Sequence, residues 1–358
     1  MQHQLSRRKL FELTAAGAVA GPLLRCQEPV PPVLEAVRTF ERRSAVSLVK
    51  GESRRRNISE ALIGIEDQIV PQLRRKKYAI IKPNIVSPAV PLACTHADAL
   101  HGILDFLGPR FKGPVVIAES SGGDTEEGYD NFQYHRVAAE HKSQQVSLLD
   151  LNAEAKYEII PILDADLRVT PVRLATRLLD PEAYIICCAV LKTHNTVVAT
   201  LSVKNMALGA PLRSARGAAK WSDKGRFHGS IRQQTHFDIL LAAQKLQPFW
   251  GAAVIDGFEG MEGDGPISGT PVPSHVAVAS TDYIAADRVG IEVMGINPAW
   301  PGYLNYCAQC GLGQFDISKL DVRGAKPVEV ARKFELSKNI DTQLQWMAPM
   351  SPVGGRTG

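Results

Sequence analysis

Short apolar runs that end in polar or charged residues, separated by stretches with helical spacing, constrain this chain more than any other feature. The runs are residues 78–82, 114–119, 146–150, 184–190, 252–256 and 276–280. Several are bounded by Gly or Pro, and little polar alternation interrupts them, which marks strands buried on both faces. Residues 58–73, 96–107, 237–246 and 283–294 instead place apolar side chains at helical intervals. The alternation predicts an α/β fold: a mostly parallel sheet flanked by helices on both faces, in a single large domain. With 358 residues, 45% of them hydrophobic, the chain can bury a sizeable core. In sheets of this kind ligands bind outside the carboxyl ends of the strands. The residues just after each run are therefore where chemistry is expected.

Polar clusters stand there. Lys82-Pro83-Asn84 closes the first run and presents a cation and an amide at the sheet edge. Thr95-His96 opens a helix, with Thr95 read as the cap and His96 near the positive helix end. Glu119-Ser120-Ser121-Gly122-Gly123 is a turn whose backbone N–H groups can cradle an anion, although it matches neither common phosphate-binding fingerprint. Lys192-Thr193-His194 follows the most apolar run, and Lys204-Asn205 comes soon after. Charge and imidazole directly after a buried strand are unusual for packing alone. Residues 210–229 are rich in Gly, Ser, Lys and Arg and read as a mobile or ligand-ordered loop that brings in His228. Asp256, Glu259, Glu262 and Asp264 lie in a glycine-rich stretch, read as an oxygen-rich loop for a divalent cation. Cys307 and Cys310 form a lone pair, too few for a closed metal or cluster site and open to either a disulfide or free thiols.

The first 28 residues read as an address rather than as structure. Ser6-Arg7-Arg8-Lys9-Leu10-Phe11 is a twin-arginine motif, followed by an apolar Ala- and Gly-rich stretch too short for a stable membrane span. Such signals send folded proteins to the periplasm or the exterior, so the export machinery is an expected partner. Residues 29–57 read as an N-terminal extension, 58–345 as the α/β domain and 346–358 as a flexible tail. The net charge is +4, with Arg7, Arg8 and Lys9 in the leader, so the mature chain is nearly neutral. That balance argues against nucleic acid as a partner.

Taken in order, these clusters resemble the family called domain of unknown function 362. The most specific elements are Leu191-Lys192-Thr193-His194 and Gly260-Met261-Glu262-Gly263, and the resemblance runs over roughly residues 78–324. It implies this fold and a site at the strand ends, but no established reaction. Some members carry a ferredoxin-like segment with clustered cysteines; this chain has no iron–sulfur motif. The residues themselves point to a small anionic ligand, a carboxylate or a phosphate. Lys192, His194 and Lys204 are the expected catalytic groups. Lys82, Asn84, His96, Ser120, Gly122, Asn205 and His228 are expected to bind substrate. Asp256, Glu259, Glu262 and Asp264 are expected to hold a divalent metal ion if a cofactor is used. The same set also suits a periplasmic protein that binds an anion or metal complex without turnover.

Overall fold

The computed structural model describes residues 42–229 and 232–348, and the expected leader at 1–28 lies outside them. Twelve strands are present among the described residues: β1 (Ser44–Lys50), β2 (Tyr78–Lys82), β3 (Val115–Glu119), β4 (Val146–Asp150), β5 (Tyr157–Leu163), β6 (Val169–Ala175), β7 (Ala183–His194), β8 (Val198–Thr200), β9 (Trp250–Asp264), β10 (Ser268–Val272), β11 (Val276–Ser280) and β12 (Leu320–Gly324). The main sheet runs β12-β1-β11-β9-β7-β2-β3-β4, with β8 paired to β7 and β10 to β9. Its β9-β7-β2-β3-β4 half is parallel, and β11 runs against both β9 and β1. The expected mostly parallel sheet is therefore present. β5 and β6 form a separate antiparallel hairpin.

Helices cover both faces, and the strand pleat divides the core between them. In β2, Ile80 points to one face, where it joins Ile185, Val203, Met206, Ile255 and Tyr283. Its neighbour Ile81 points to the other and joins Ile58, Leu104, Phe106, Ile117 and Ile186. Burial on both sides explains why these runs show little polar alternation.

Three sequence expectations change. The compact fold does not start at residue 58, because β1 sits inside the sheet between β11 and β12. Its short run lies just before the arginines at 54–56 and was masked by them. The expected helix over 58–73 is two helices, Arg54–Ile63 and Glu66–Leu73, broken at Gly64-Ile65. Residues 256–264 are not a loop but the end of the long strand β9. There the register with β7 jumps from Val190↔Asp256 to Lys192↔Met261. The extra residues form a bulge, and Gly257 and Gly260 lie where a Cβ would press on Leu191.

Strand order places the site. From β2 the chain moves outward through β3 to β4, then returns through β7 on the other side of β2. The gap between β2 and β7 is thus a topological switch point, where a crevice opens at the carboxyl ends. The 210–229 segment closes over it. Asp223 pins that segment to β6 by accepting from Arg173 N and Nε at 2.8 Å and Nη2 at 3.1 Å, while the Arg173 guanidinium lies over the Trp221 ring.

Candidate functional site

A cavity of about 190 Å³ opens at the switch point, lined among others by Lys82, Asn84, His194, Thr200, Lys204 and Lys224. Its floor is a buried polar network. Lys82 leaves the end of β2 on the face of the helix Ser202–Gly209. Its ammonium donates to both Glu119 oxygens and to Asn205 Oδ1 at 3.0 Å, and to the Pro83 carbonyl at 2.7 Å. Glu119, at the end of β3, also accepts from Ser120 N at 2.8 Å and Ile85 N at 3.2 Å. Both carboxylate oxygens are thereby used, and the Lys82 charge is matched. A Cβ at Gly209 would overlap the Lys82 side chain, so glycine is needed there for the lysine to pass.

Lys192 lies beneath the cavity. Its ammonium donates to Asn84 Oδ1 at 2.6 Å and to the Ala93 carbonyl. Burial lowers it to about 8. A lysine has only donors, so the Asn84 carbonyl must face Lys192 and its NH₂ is left to donate. Lys192 is therefore a positioning residue for Asn84, not a group that reaches the cavity.

Lys204 differs from the others. It sits in the first turn of the helix Ser202–Gly209, is 6% exposed and lines the cavity. Among the described residues its ammonium has no hydrogen-bond or ion-pair partner. Burial first, then the Lys192 and Lys224 charges, lower it to about 7. Lys224 reaches in from the covering segment and donates to the Leu208 carbonyl at 2.9 Å, and burial lowers it to about 7 as well. Thr200 Oγ1 is buried without a partner and faces the same cavity lining. His194 accepts from Thr196 N at 2.9 Å through Nδ1, which assigns its proton to Nε2. Burial, then Lys204, hold its imidazole well below the usual range, so it is neutral. With Nδ1 occupied, neutral His194 is a donor to a ligand rather than a free base. His228 lines the same cavity, its ring parallel to that of His194 with centroids 6.2 Å apart.

Lys82, Asn84, Ser120, Gly122, His194, Lys204, Asn205 and His228 are thus brought to one cavity, as their places at strand ends imply. Several do different work there from that expected. The Glu119–Gly123 turn does not offer its N–H groups to an anion, because each is bonded internally: Ser120 N to Glu119, Ser121 N to Thr125 Oγ1, Gly122 N to the Ile85 carbonyl and Gly123 N to Ser121 Oγ. Ser120 Oγ lies 2.9 Å from both Asn152 Oδ1 and the Pro211 carbonyl, tying the covering segment to the turn. Thr95 does not cap the helix Ala97–Leu107; its hydroxyl accepts from Asn84 N and donates to the Cys188 carbonyl, and His96 is the cap. His96 faces a separate cavity of about 410 Å³ with Arg55, Asp98 and His101. Cys307 and Cys310 are free thiols.

The expected metal ligands are not assembled. Asp256 is buried against Arg54 at 3.2 Å, Glu259 is exposed, Glu262 accepts from Glu335 N, and Asp264 accepts from Ser337 Oγ and Lys338 N. An extended strand spreads carboxylates that a loop would have gathered. Among the described residues no group of three or more His, Cys, Asp or Glu could hold a metal ion. Sequence reading assigned no role to Glu119, Thr200 or Lys224. Glu119 ended a strand next to Lys82's strand and was within reach of that inference; a lone threonine and a loop lysine gave no signal.

The family model described as domain of unknown function (DUF362) matches residues 80–292, more than half of the chain. The chain belongs to that family. The matched DUF362 stretch contains every residue lining the cavity. No curated protein matches. One solved structure, a Thermotoga maritima protein from a structural genomics consortium, is similar at 12% identity with a TM-score of 0.40. The match covers 73% of this chain and 60% of that one, so this chain spans less than two thirds of its length.

Replacing Lys82 by Met leaves the Glu119 carboxylate buried without its cation. The expected loss in urea unfolding is about 3–5 kcal/mol, part of it recovered when Glu119→Gln is added, which removes the buried charge and keeps an acceptor for the backbone N–H groups. A loss below about 1 kcal/mol for Lys82→Met alone would contradict a structural role for the pair.

Proposed function

We propose that this DUF362 chain is exported folded by the twin-arginine route, to the periplasm or the exterior, and that its cavity takes a small carboxylate or phosphate as an enzyme substrate. The observation that carries the anion reading is Lys204: a cation more than nine-tenths buried, facing the cavity, with no counter-charge among the described residues. Burying an unpaired charge is costly, and an anion in the cavity removes that cost. Thr200 Oγ1 and the His194 Nε2–H add donors without adding negative charge. The one carboxylate in the lining, Glu119, is saturated and does not repel the ligand.

The enzyme reading rests on Lys204 as an amine held near its neutral form, available as base or nucleophile at ordinary pH. A second reading, binding without turnover, is favoured because the Glu119 carboxylate is saturated and His194 Nδ1 is occupied, which leaves the neutral His228 imidazole as the remaining candidate base among the described lining residues. For export, the support is the order Ser6-Arg7-Arg8-Lys9-Leu10-Phe11 ahead of an apolar stretch. No helix among the described residues is long and apolar enough to cross a membrane.

Two outcomes are expected. An anion favours the ammonium form of Lys204, so above its value of about 7 the free amine must take up a proton for binding. Glycolate affinity, read by calorimetry, should therefore fall as pH rises from about 7 to about 9, by up to roughly tenfold per unit, with protons taken up on binding. Lys204→Met should remove most of the affinity and weaken the dependence, with Lys224 keeping part of it, whereas affinity independent of pH in the parent chain would overturn the anion reading. Separately, changing Arg7 and Arg8 to Lys should hold the full-length chain in the cytoplasmic fraction of a twin-arginine-competent host. Unchanged release to the periplasm would count against that route.

A further inference from the structure

We infer that Lys204 is a covalent site, whose amine condenses with the carbonyl carbon of a short 2-oxo acid to form an imine inside the cavity. The inference rests on the anion reading above and deepens it by naming the substrate class.

The other lysines at this site are tied. Lys82 is held by Glu119, Asn205 and Pro83; Lys192 by Asn84 and Ala93; Lys224 by the carbonyls of Leu208 and Gly209. Lys204 alone among these four has no partner among the described residues, although it is 6% exposed. Its ammonium has no protein partner among the described residues, and its neighbours are other lysines and neutral imidazoles. These are the two conditions, desolvation and an adjacent positive charge, under which a lysine becomes a nucleophile. Burial and the nearby lysines accordingly bring it to about 7.

The rest of the cavity fits the steps that follow. Attack turns the carbonyl oxygen into an alkoxide, which needs donors. Thr200, four residues before Lys204, has a buried hydroxyl with no partner, and neutral His194 presents Nε2–H. A ligand carboxylate needs a cation, and Lys224, held by the Leu208 and Gly209 carbonyls with donor capacity to spare, is kept in its ammonium form by the carboxylate it meets. A volume of about 190 Å³ has room for a short 2-oxo acid.

The chemistry balances without a further reagent. The amine lone pair forms the N–C bond while the C=O π electrons move to oxygen. The oxygen then leaves as water, carrying both protons that the nitrogen gives up, as the nitrogen lone pair forms the C=N bond.

The test is reductive trapping on the full chain. Pyruvate and cyanoborohydride are added near pH 7, and peptides are mapped by mass spectrometry. The peptide bearing Lys204 should gain the mass of pyruvic acid less one oxygen, on the order of tenfold faster than that of an exposed lysine such as Lys50. Lys204→Arg should lose that label while still binding pyruvate by calorimetry. Labelling confined to exposed lysines, with pyruvate still bound, would overturn the covalent step and leave the anion pocket standing. Absence of both adduct and binding would overturn the two together. The adduct is read on the parent chain, so the result does not depend on the variant folding.

Discussion

The buried contact between Lys82 and Glu119 is the constraint on which the site depends. It joins the carboxyl ends of two adjacent parallel strands and, through Asn205, fixes the first turn of the helix that carries Lys204. Two unit charges removed from water are stabilising only when their remaining hydrogen-bond capacity is met. Here backbone N–H groups of Ile85 and Ser120 complete the carboxylate, and a backbone carbonyl and an amide oxygen complete the ammonium. The network is saturated, so it acts as a floor and leaves Lys204 and Thr200 as the buried, unpartnered groups of the cavity lining among the described residues.

That division separates four lysines that look alike in sequence. Lys82 is neutralised by a carboxylate. Lys192 orients an asparagine from below. Lys224 is capped by backbone carbonyls of the helix that ends at Gly209. Lys204 alone lacks a partner within the described residues, and its depressed basicity follows from burial beside Lys192 and Lys224. The same lack of partners marks Thr200. Unmet polar groups converging on one cavity support the anion site proposed there.

Much of this was legible in the sequence, for reasons that can be named. The doubly buried strands β2, β3, β7, β9 and β11 announce themselves as apolar runs, and the rule that ligands collect at their carboxyl ends brought Lys82, Asn84, His194, Lys204, Asn205 and His228 to one place. β1 was not legible, because a short run beside an arginine cluster resembles a linker. Residues 256–264 were misread because glycines among carboxylates look like a cation loop. In the fold, Gly257 and Gly260 instead serve a bulge that lets β9 pass Leu191. The roles of the lysines were the least legible part. Whether an ammonium is free or tied depends on partners such as Glu119 and Asn84, which lie 37 and 108 residues from the lysines they contact.

The account turns on the ionisation of one amine. Carbon-13 NMR of lysine Cε across pH, with the Lys204 signal assigned by its loss in Lys204→Arg, reads it directly. The account predicts a midpoint near the value of about 7 set by burial, moving upward when glycolate saturates the cavity. A midpoint at the ordinary lysine value of 10.5, unmoved by glycolate, would contradict it.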